Sequence, residues 1–272
     1  MSTGPKPGDR SERQFMVTAA AHPFLESSLP IAFAQRGGAS DQPENTMPAF
    51  QHAINLGYRY LETDVHATKD GVLLAFHDDD LRRTCAVDGR ISELSYDEVR
   101  RARVAGREPI PFPLECVGSW PAARFNIDCK ADNALEPLID LLTVTNSLER
   151  VCVGSFSDNR LRHLRTHFGR DLCTSLGPKE VARLRLRSWL RHRPQFDGVY
   201  AAQIPLKQGP LTITDRALVE AAHHAGLQVH VWTIDDPREM EHLLDIGVDG
   251  IMTDRLAVLR NVLESRGLWS NL

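Results

Sequence analysis

The sequence predicts one (β/α)8 TIM barrel with a β-hairpin inserted after the second strand, and three observations lead there. The chain has 272 residues, 42% hydrophobic and 25% charged, the size and balance of a single α/β barrel around a large core. From Ile31 onward, short runs rich in β-branched and apolar residues alternate with longer stretches of helical period, as in a parallel sheet wound with helices. The runs number eight, the count that closes a barrel.

Strands are expected at Ile31–Arg36, Tyr60–His66, Arg124–Lys130, Val151–Phe156, Leu172–Leu176, Gly198–Gln203, Gln228–Ile234 and Gly250–Thr253. Helices are expected at Met47–Leu56 behind a Thr46 cap, Leu135–Leu142, Asp158–Phe168, Asp215–Ala225 with Gly226 as its stop, and Arg238–Ile246 stopped by Gly247. Residues 1–30 read as an N-terminal tail and lead-in segment, and residues 31–272 as the barrel domain. Met1 to Gln14 are polar and carry Pro and Gly, and the apolar patch Phe15 to Ala21 is broken by His22-Pro23 before it resembles a signal sequence, so a frayed tail is expected. Nowhere do eighteen apolar residues run together, which excludes a transmembrane helix.

The formal charge of -4 offers no long-range attraction for nucleic acid or an anionic membrane. An anionic substrate must therefore be held by local groups. Cys85, Cys116, Cys129, Cys152 and Cys173 show no metal-like spacing, and their odd number suits packed, reduced thiols and a cytoplasmic location.

Lys69-Asp70-Gly71 interrupts the rhythm, because Asp-Gly between alternating runs signals a two-residue hairpin turn. With Asp70 and Gly71 at its centre, Lys69 faces Val72, Asp64 faces His77 and Glu62 faces Asp79. Alternation along the second strand places Glu62, Asp64 and His66 on one face. In the third strand Asn126, Asp128 and Lys130 share a face, while Ile127 and Cys129 point to the helices. Both polar sets lie near the carboxyl ends of their strands, where barrel enzymes place catalytic groups. Three converging carboxylates repel one another unless a cation neutralises them, and hard oxygen donors suit Mg²⁺ or Ca²⁺. The competing reading is that these acids are solvated or paired with Lys69, Lys130 or Arg36.

At this point the ordered motifs become specific. They are Gln35-Arg36-Gly37-Gly38, Pro43-Glu44-Asn45-Thr46, Glu62-Thr63-Asp64, Lys69-Asp70-Gly71, and His77-Asp78 followed by Leu81 and Arg83-Thr84. Further on come Asn126-Ile127-Asp128-Cys129-Lys130, Trp232-Thr233 and the closing run Gly247 to Arg255. Together they resemble the glycerophosphodiester phosphodiesterase family from about Ile31 to Leu263. The resemblance implies a metal-dependent barrel enzyme that releases an alcohol and glycerol phosphate from a small glycerophosphodiester, with no nucleic-acid partner and an oligomeric state left open. It implies metal ligation by Glu62, Asp64 and Asp128, the last being aspartate where the family usually has glutamate. It also implies an acid-base role for His77, phosphate binding by Arg36 and Lys130, a site-lining role for Glu44 and a pocket wall at Trp232. In the family a substrate hydroxyl next to the phosphate is thought to attack phosphorus, a route that needs two proton carriers.

Gln35 departs from this pattern, because the family has a second histidine immediately before the arginine. A carboxamide binds oxygen but carries no proton at neutral pH, and losing one proton carrier costs roughly 10²–10⁴ in rate. The sequence leaves open a slow enzyme, a catalytically silent barrel that binds a phosphodiester or phosphate metabolite, and a deliberate exchange that traps substrate. A phospholipase D-like lyase is disfavoured by the full span of the match.

Other features have plainer readings. His66 is expected to cap a backbone carbonyl in the hairpin; His163, His167, His192, His223, His224 and His242 are expected at the surface. Helix capping competes with catalysis for Asp254 and Thr46, and the helix dipole explains Glu44 without any site. Arg183 to Arg193 is a basic stretch, read as a solvated helix with Leu186, Trp189 and Leu190 turned inward in preference to a surface-binding helix. Phe112 to Cys116 is a candidate for shaping the pocket.

Overall fold

The computed structural model describes residues 22–190 and 195–269. Expectations for residues 1–21, and for Arg191, His192 and Arg193, lie outside the described residues. The strands are β1 (Ile31–Ala34), β2 (Tyr60–Ala67), β3 (Leu73–Ala75), β4 (Arg124–Cys129), β5 (Val151–Gly154), β6 (Cys173–Thr174), β7 (Ala201–Pro205), β8 (Lys207–Gln208), β9 (Leu211–Thr212), β10 (Gln228–Trp232) and β11 (Gly250–Thr253). The helices are α1 (Met47–Asn55), α2 (Arg82–Cys85), α3 (Tyr96–Val99), α4 (Pro113–Ser119), α5 (Leu135–Thr145), α6 (Asp158–Phe168), α7 (Pro178–Trp189), α8 (Arg216–His224), α9 (Pro237–Ile246) and α10 (Leu256–Ser265).

Eight parallel strands run in the order β6-β5-β4-β2-β1-β11-β10-β7. A parallel bridge between Ser175 and Ala201 closes the ring, with the Leu176 N–H donating to the Ala201 carbonyl at 2.8 Å. The expected barrel is therefore present, and all eight expected strands contribute to it. Helix starts follow local chemistry: the Thr46 hydroxyl accepts the Ala49 N–H at 3.3 Å, and the Asp215 carboxylate accepts the Leu218 N–H at 2.9 Å.

Alternation divides each strand between two cores. Leu61, Val65, Phe125, Ile127, Val151, Val153, Val229 and Val231 pack outward against the helices, and burial of such side chains contributes roughly 1.5–3 kcal/mol each. Phe33, Tyr60, Cys152, Cys173 and Met252 fill the interior. Phe24 and Leu25 of the lead-in segment join this inner cluster, and the Tyr60 hydroxyl donates to the Phe24 carbonyl at 2.9 Å. All five cysteines are buried and unbridged.

The hairpin exists, but its register differs by one residue from the expectation. Val65 stands opposite Ala75, His66 opposite Leu74 and Ala67 opposite Leu73. The loop has three residues: the Thr68 N–H donates to Val72 O and the Gly71 N–H to Thr68 O, both at 3.0 Å. Gly71 takes φ +82, the left-handed position such a loop needs. The Asp70 carboxylate fixes this form by accepting from the Thr68 hydroxyl at 2.6 Å and the Tyr96 N–H at 2.9 Å. Asp64 consequently pairs through its carbonyl with the Phe76 N–H at 2.9 Å, not with His77, and Glu62 has no partner in β3.

The chain after the hairpin builds a second core of its own. Leu74, Phe76, Leu81, Cys85, Ile91, Val99, Ala102, Val104 and Ile110 pack together beside the barrel.

A second correction concerns α7. Leu186, Trp189 and Leu190 are exposed, at 54%, 55% and 57%, while Leu184, Arg185 and Ser188 face inward. The reason is a partner distant in sequence. Arg185 reaches the Asp215 carboxylate with two bonds of 2.7 and 2.6 Å, which fixes the helix phase around Leu184, Arg185 and Ser188.

Candidate active site

A cavity of about 620 Å³ opens at the carboxyl ends of the strands. Gln35, Arg36, Glu62, Asp64, His77, Asp128, Lys130 and Trp232 all line it, so one concavity gathers every residue singled out for the site except Glu44. Phe112 to Cys116 do not line it.

β1 ends in a sharp reversal that sets the first wall. Arg36 adopts φ 48, a left-handed conformation costly for an L side chain, and its N–H donates to Glu62 Oε2 at 3.0 Å. Gly37 follows at φ +79, and a Cβ there would lie 2.7 Å from that of Ala49, so the turn packs directly on α1. Gln35 is 8% exposed and its Oε1 is buried without a hydrogen-bond partner.

Asp64 and Asp128 face each other in register across β2 and β4. The Lys130 Nζ bridges them, 2.9 Å from Asp64 Oδ1 and 2.6 Å from Asp128 Oδ2. Asp64 Oδ2 also accepts from Asn45 Nδ2 at 3.1 Å and forms a 3.4 Å ion pair with Arg36 Nε. Asp128 Oδ1 is buried with no partner. Burial, and then the negative charge of Asp64, raises the Glu62 carboxyl well above its ordinary range. Burial lowers the Lys130 ammonium, but the two aspartates outweigh it and hold the lysine charged.

His77 belongs to an ion-paired chain. Its Nδ1 lies 2.6 Å from Asp78 Oδ1, and Arg83 bonds Asp78 through Nε at 2.6 Å and Nη2 at 3.0 Å. The same guanidinium holds both Glu44 oxygens at 2.7 Å, and Glu44 accepts from Arg36 Nη1 at 3.2 Å. Glu44 thus stands behind Arg36 and not on the cavity wall. Burial pushes the Asp78 carboxyl up, but the bonds from Arg83 and His77 prevail and bring it to about 2. With Nδ1 on this carboxylate, Nε2 is the ring nitrogen His77 presents to the cavity.

Trp232 and Phe156 form an aromatic wall, with ring centroids 5.8 Å apart and planes at 71°. Lys130 Nζ lies 5.6 Å from the centroid of Phe156. Asn126 and Gln203 make the floor, joined by a 2.6 Å bond.

His66 meets its expectation as a carbonyl cap, with Nε2 3.0 Å from His77 O. The Thr46 side chain caps a helix, whereas Asp254 does not: Arg255 is the capping position of α10, and Asp254 Oδ1 is buried and unpartnered. Burial and the neighbouring Asp235 push the Asp254 carboxyl up to about 6. His223, expected at the surface, is partly covered and lies 2.8 Å from Asp249 in a hollow of about 380 Å³ at the opposite end of the barrel. Asp249 also accepts the Val229 N–H at 2.8 Å, so this pair ties α8 to the sheet.

Sequence reasoning missed Asn45, Asp78, Arg83 and Gln203 as members of the constellation, and it put Asn126 on the site face without giving it a role. Asn45, Asp78 and Arg83 lie inside the motifs quoted above, and nothing local to Gln203 marks it.

Among the described residues no three His, Cys, Asp or Glu side chains are already gathered as a metal cluster. The chemistry is nonetheless that of a hard-cation site: three carboxylates line one cavity, one raised by burial and another with an orphaned buried oxygen. The ammonium of Lys130 supplies the positive charge between two of them.

Comparison with known proteins matches residues 36–258 to the Glycerophosphoryl diester phosphodiesterase family. The chain belongs to that family. Its members are phosphoric diester hydrolases, and the barrel described above is theirs. A probable glycerophosphodiester phosphodiesterase 2 of Mycobacterium tuberculosis is 39% identical over 90% of this chain and 95% of its own length. A glycerophosphodiester phosphodiesterase of Caldanaerobacter subterraneus is 30% identical over 87% of this chain and 99% of its own. Among solved structures, a putative glycerophosphoryl diester phosphodiesterase from Silicibacter pomeroyi shares the fold with a TM-score of 0.74, at 21% identity over 94% of this chain and 99% of that one. An Oleispira antarctica phosphodiesterase in complex with the product sn-glycerol-3-phosphate gives a TM-score of 0.71 at 21% identity, over 87% of this chain and 97% of that one.

Proposed function

We propose that this chain hydrolyses glycerophosphodiesters to an alcohol and glycerol phosphate, with a divalent cation, Mg²⁺ or Ca²⁺, held by Glu62, Asp64 and Asp128. The observation that carries the reading is one cavity combining three carboxylates, two cationic side chains on them and a histidine with an ordered ring. A divalent cation on these carboxylates supplies charge stabilisation for the phosphoryl oxygens. Arg36 and Lys130 bind the phosphate as fixed positive charges. His77 gives or takes the proton of an alcohol oxygen at Nε2, while Asp78 fixes its tautomer through Nδ1. Gln35 contributes a hydrogen bond and no proton. Trp232 and Phe156 exclude water on one side of the substrate.

A second reading, a silent barrel that binds a phosphodiester or phosphate metabolite, is favoured by two observations. Gln35 cannot titrate, and Lys130 already neutralises Asp64 and Asp128. One comparison separates the two: the unaltered chain against Gln35→His, on glycerophosphocholine and an aryl phosphodiester, with Mg²⁺, Ca²⁺ or chelator. Metal-dependent turnover by the unaltered chain, lost in Glu62→Ala, is the expected result. Turnover that appears only after Gln35→His replaces the first reading with the second.

A further inference from the structure

We propose that the exposed face of α7 docks this protein on an anionic lipid surface. The face consists of Leu186, Trp189 and Leu190, spaced three and four residues apart and each more than half exposed. Leu211, on the hairpin, is 50% exposed, and Phe156, on the cavity wall, is 65% exposed. Large apolar side chains in solvent are the informative departure for a globular domain, and three of them share this helix face.

Contacts along α7 fix where this face lies. Pro178 and Val181 in the first turns of α7 line the cavity, as do Lys207, Gln208 and Gly209 of the hairpin. Arg185, midway along α7, bonds Asp215 and the Ile213 carbonyl, just after the hairpin. The first turns of α7 therefore lie at the mouth, and its apolar face, near the other end of the helix, lies farther along the side of the barrel.

Charge identifies the occupant. Arg183 is exposed and stacks 5.4 Å from the Phe196 ring centroid, Arg187 is half-buried, and Lys179 and Lys207 are exposed. Arg185 is committed to Asp215, and its guanidinium lies 4.7 Å from the Trp189 ring centroid, which holds the indole in place. This local basic density stands against a net charge of -4 for the whole chain and acts within about one Debye length, roughly 10 Å, of a surface. The centre of a protein interface is depleted of charge, whereas Trp and Leu flanked by arginines is the composition of a helix lying at a lipid headgroup layer. A lipid surface is also where molecules carrying a glycerophosphodiester group are concentrated. The docking proposal does not depend on catalysis by the cavity.

The test is flotation of the full chain with vesicles of phosphatidylcholine alone and of phosphatidylcholine mixed with phosphatidylglycerol. Binding to the mixed vesicles, weakened by salt, is expected. Leu186→Ser with Trp189→Ser, and separately Arg183→Gln with Arg187→Gln, should each lower it about tenfold or more. The charge pair leaves the apolar side chains of α7 in place, so it keeps the test valid if the first pair disturbs the fold. Glu62→Ala should float like the unaltered chain, and both surface pairs should match it in whatever turnover it shows on water-soluble glycerophosphocholine. Equal flotation by all variants, or none by the unaltered chain, overturns the proposal. So does a concentration-dependent dimer abolished by the Leu186 and Trp189 changes, which would give this face to a second copy.

Discussion

At the mouth of the barrel, Asp64 and Asp128 are met by Arg36 and Lys130 at separations of 2.6 to 3.4 Å, but deeper in the same interior His230 is fully buried and carries no charge. Its Nδ1 lies 3.4 Å from Gln203 Nε2 and its Nε2 lies 3.2 Å from Gln228 Oε1, so amides serve where ions serve above. Burial brings its pKa down to about 4. The difference shows where an interior can keep charge. An ion away from water costs several kcal/mol unless a counter-ion sits against it, and only the mouth also gives a substrate access to those ions. The floor satisfies polar groups and positions them; the mouth holds the groups that react.

The sharpest way to break this contrast is to remove the cation that links the two aspartates. Lys130→Ala should lower turnover by about 10²–10³, measured as kcat on glycerophosphocholine. An unchanged kcat would make Lys130 only a structural counter-ion.

The next largest effect belongs to the floor and is one of stability. His230 has a folded pKa of about 4 against 6.5 when unfolded, so between those values the unfolded chain binds the proton first. Its contribution is therefore complete above pH 6.5 and is lost as pH falls towards 4, about 3 kcal/mol in all. Urea melts across that window should show the loss, and His230→Gln should flatten its slope. The smallest effect tests the arm that orients His77. Asp78→Asn should reduce kcat by about 10–100-fold and displace the pH–rate profile, leaving KM nearly unchanged.

How far the sequence could be read depended on the reach of each interaction. Period-two alternation is local, so the shared face of Glu62 and Asp64 and the opposed faces of Asp128 and Ile127 could be read directly. The hairpin register could not, because Asp70 selects the longer loop by bonding Tyr96, 26 residues away. The phase of α7 depends likewise on Asp215, 30 residues beyond Arg185. Gln203 reaches the floor by crossing the barrel to Asn126, 77 residues distant, and nothing near Gln203 in sequence announces it. Glu44 shows the same limit from the other side. Its motif was visible, but its partner Arg83, 39 residues on, decides that it stands behind the wall.

The separate core that follows the hairpin gives His77 an unusual dependence. This histidine comes directly after Phe76, which belongs to the cluster of Leu81, Ile91 and Val99 and not to the main core of the barrel. Such a cluster can open as a cooperative unit while the remaining strands keep their amide protons, and hydrogen exchange would see it as a distinct foldon. Each opening would withdraw the imidazole from an otherwise intact catalytic bowl. Thermal inactivation would then precede global melting.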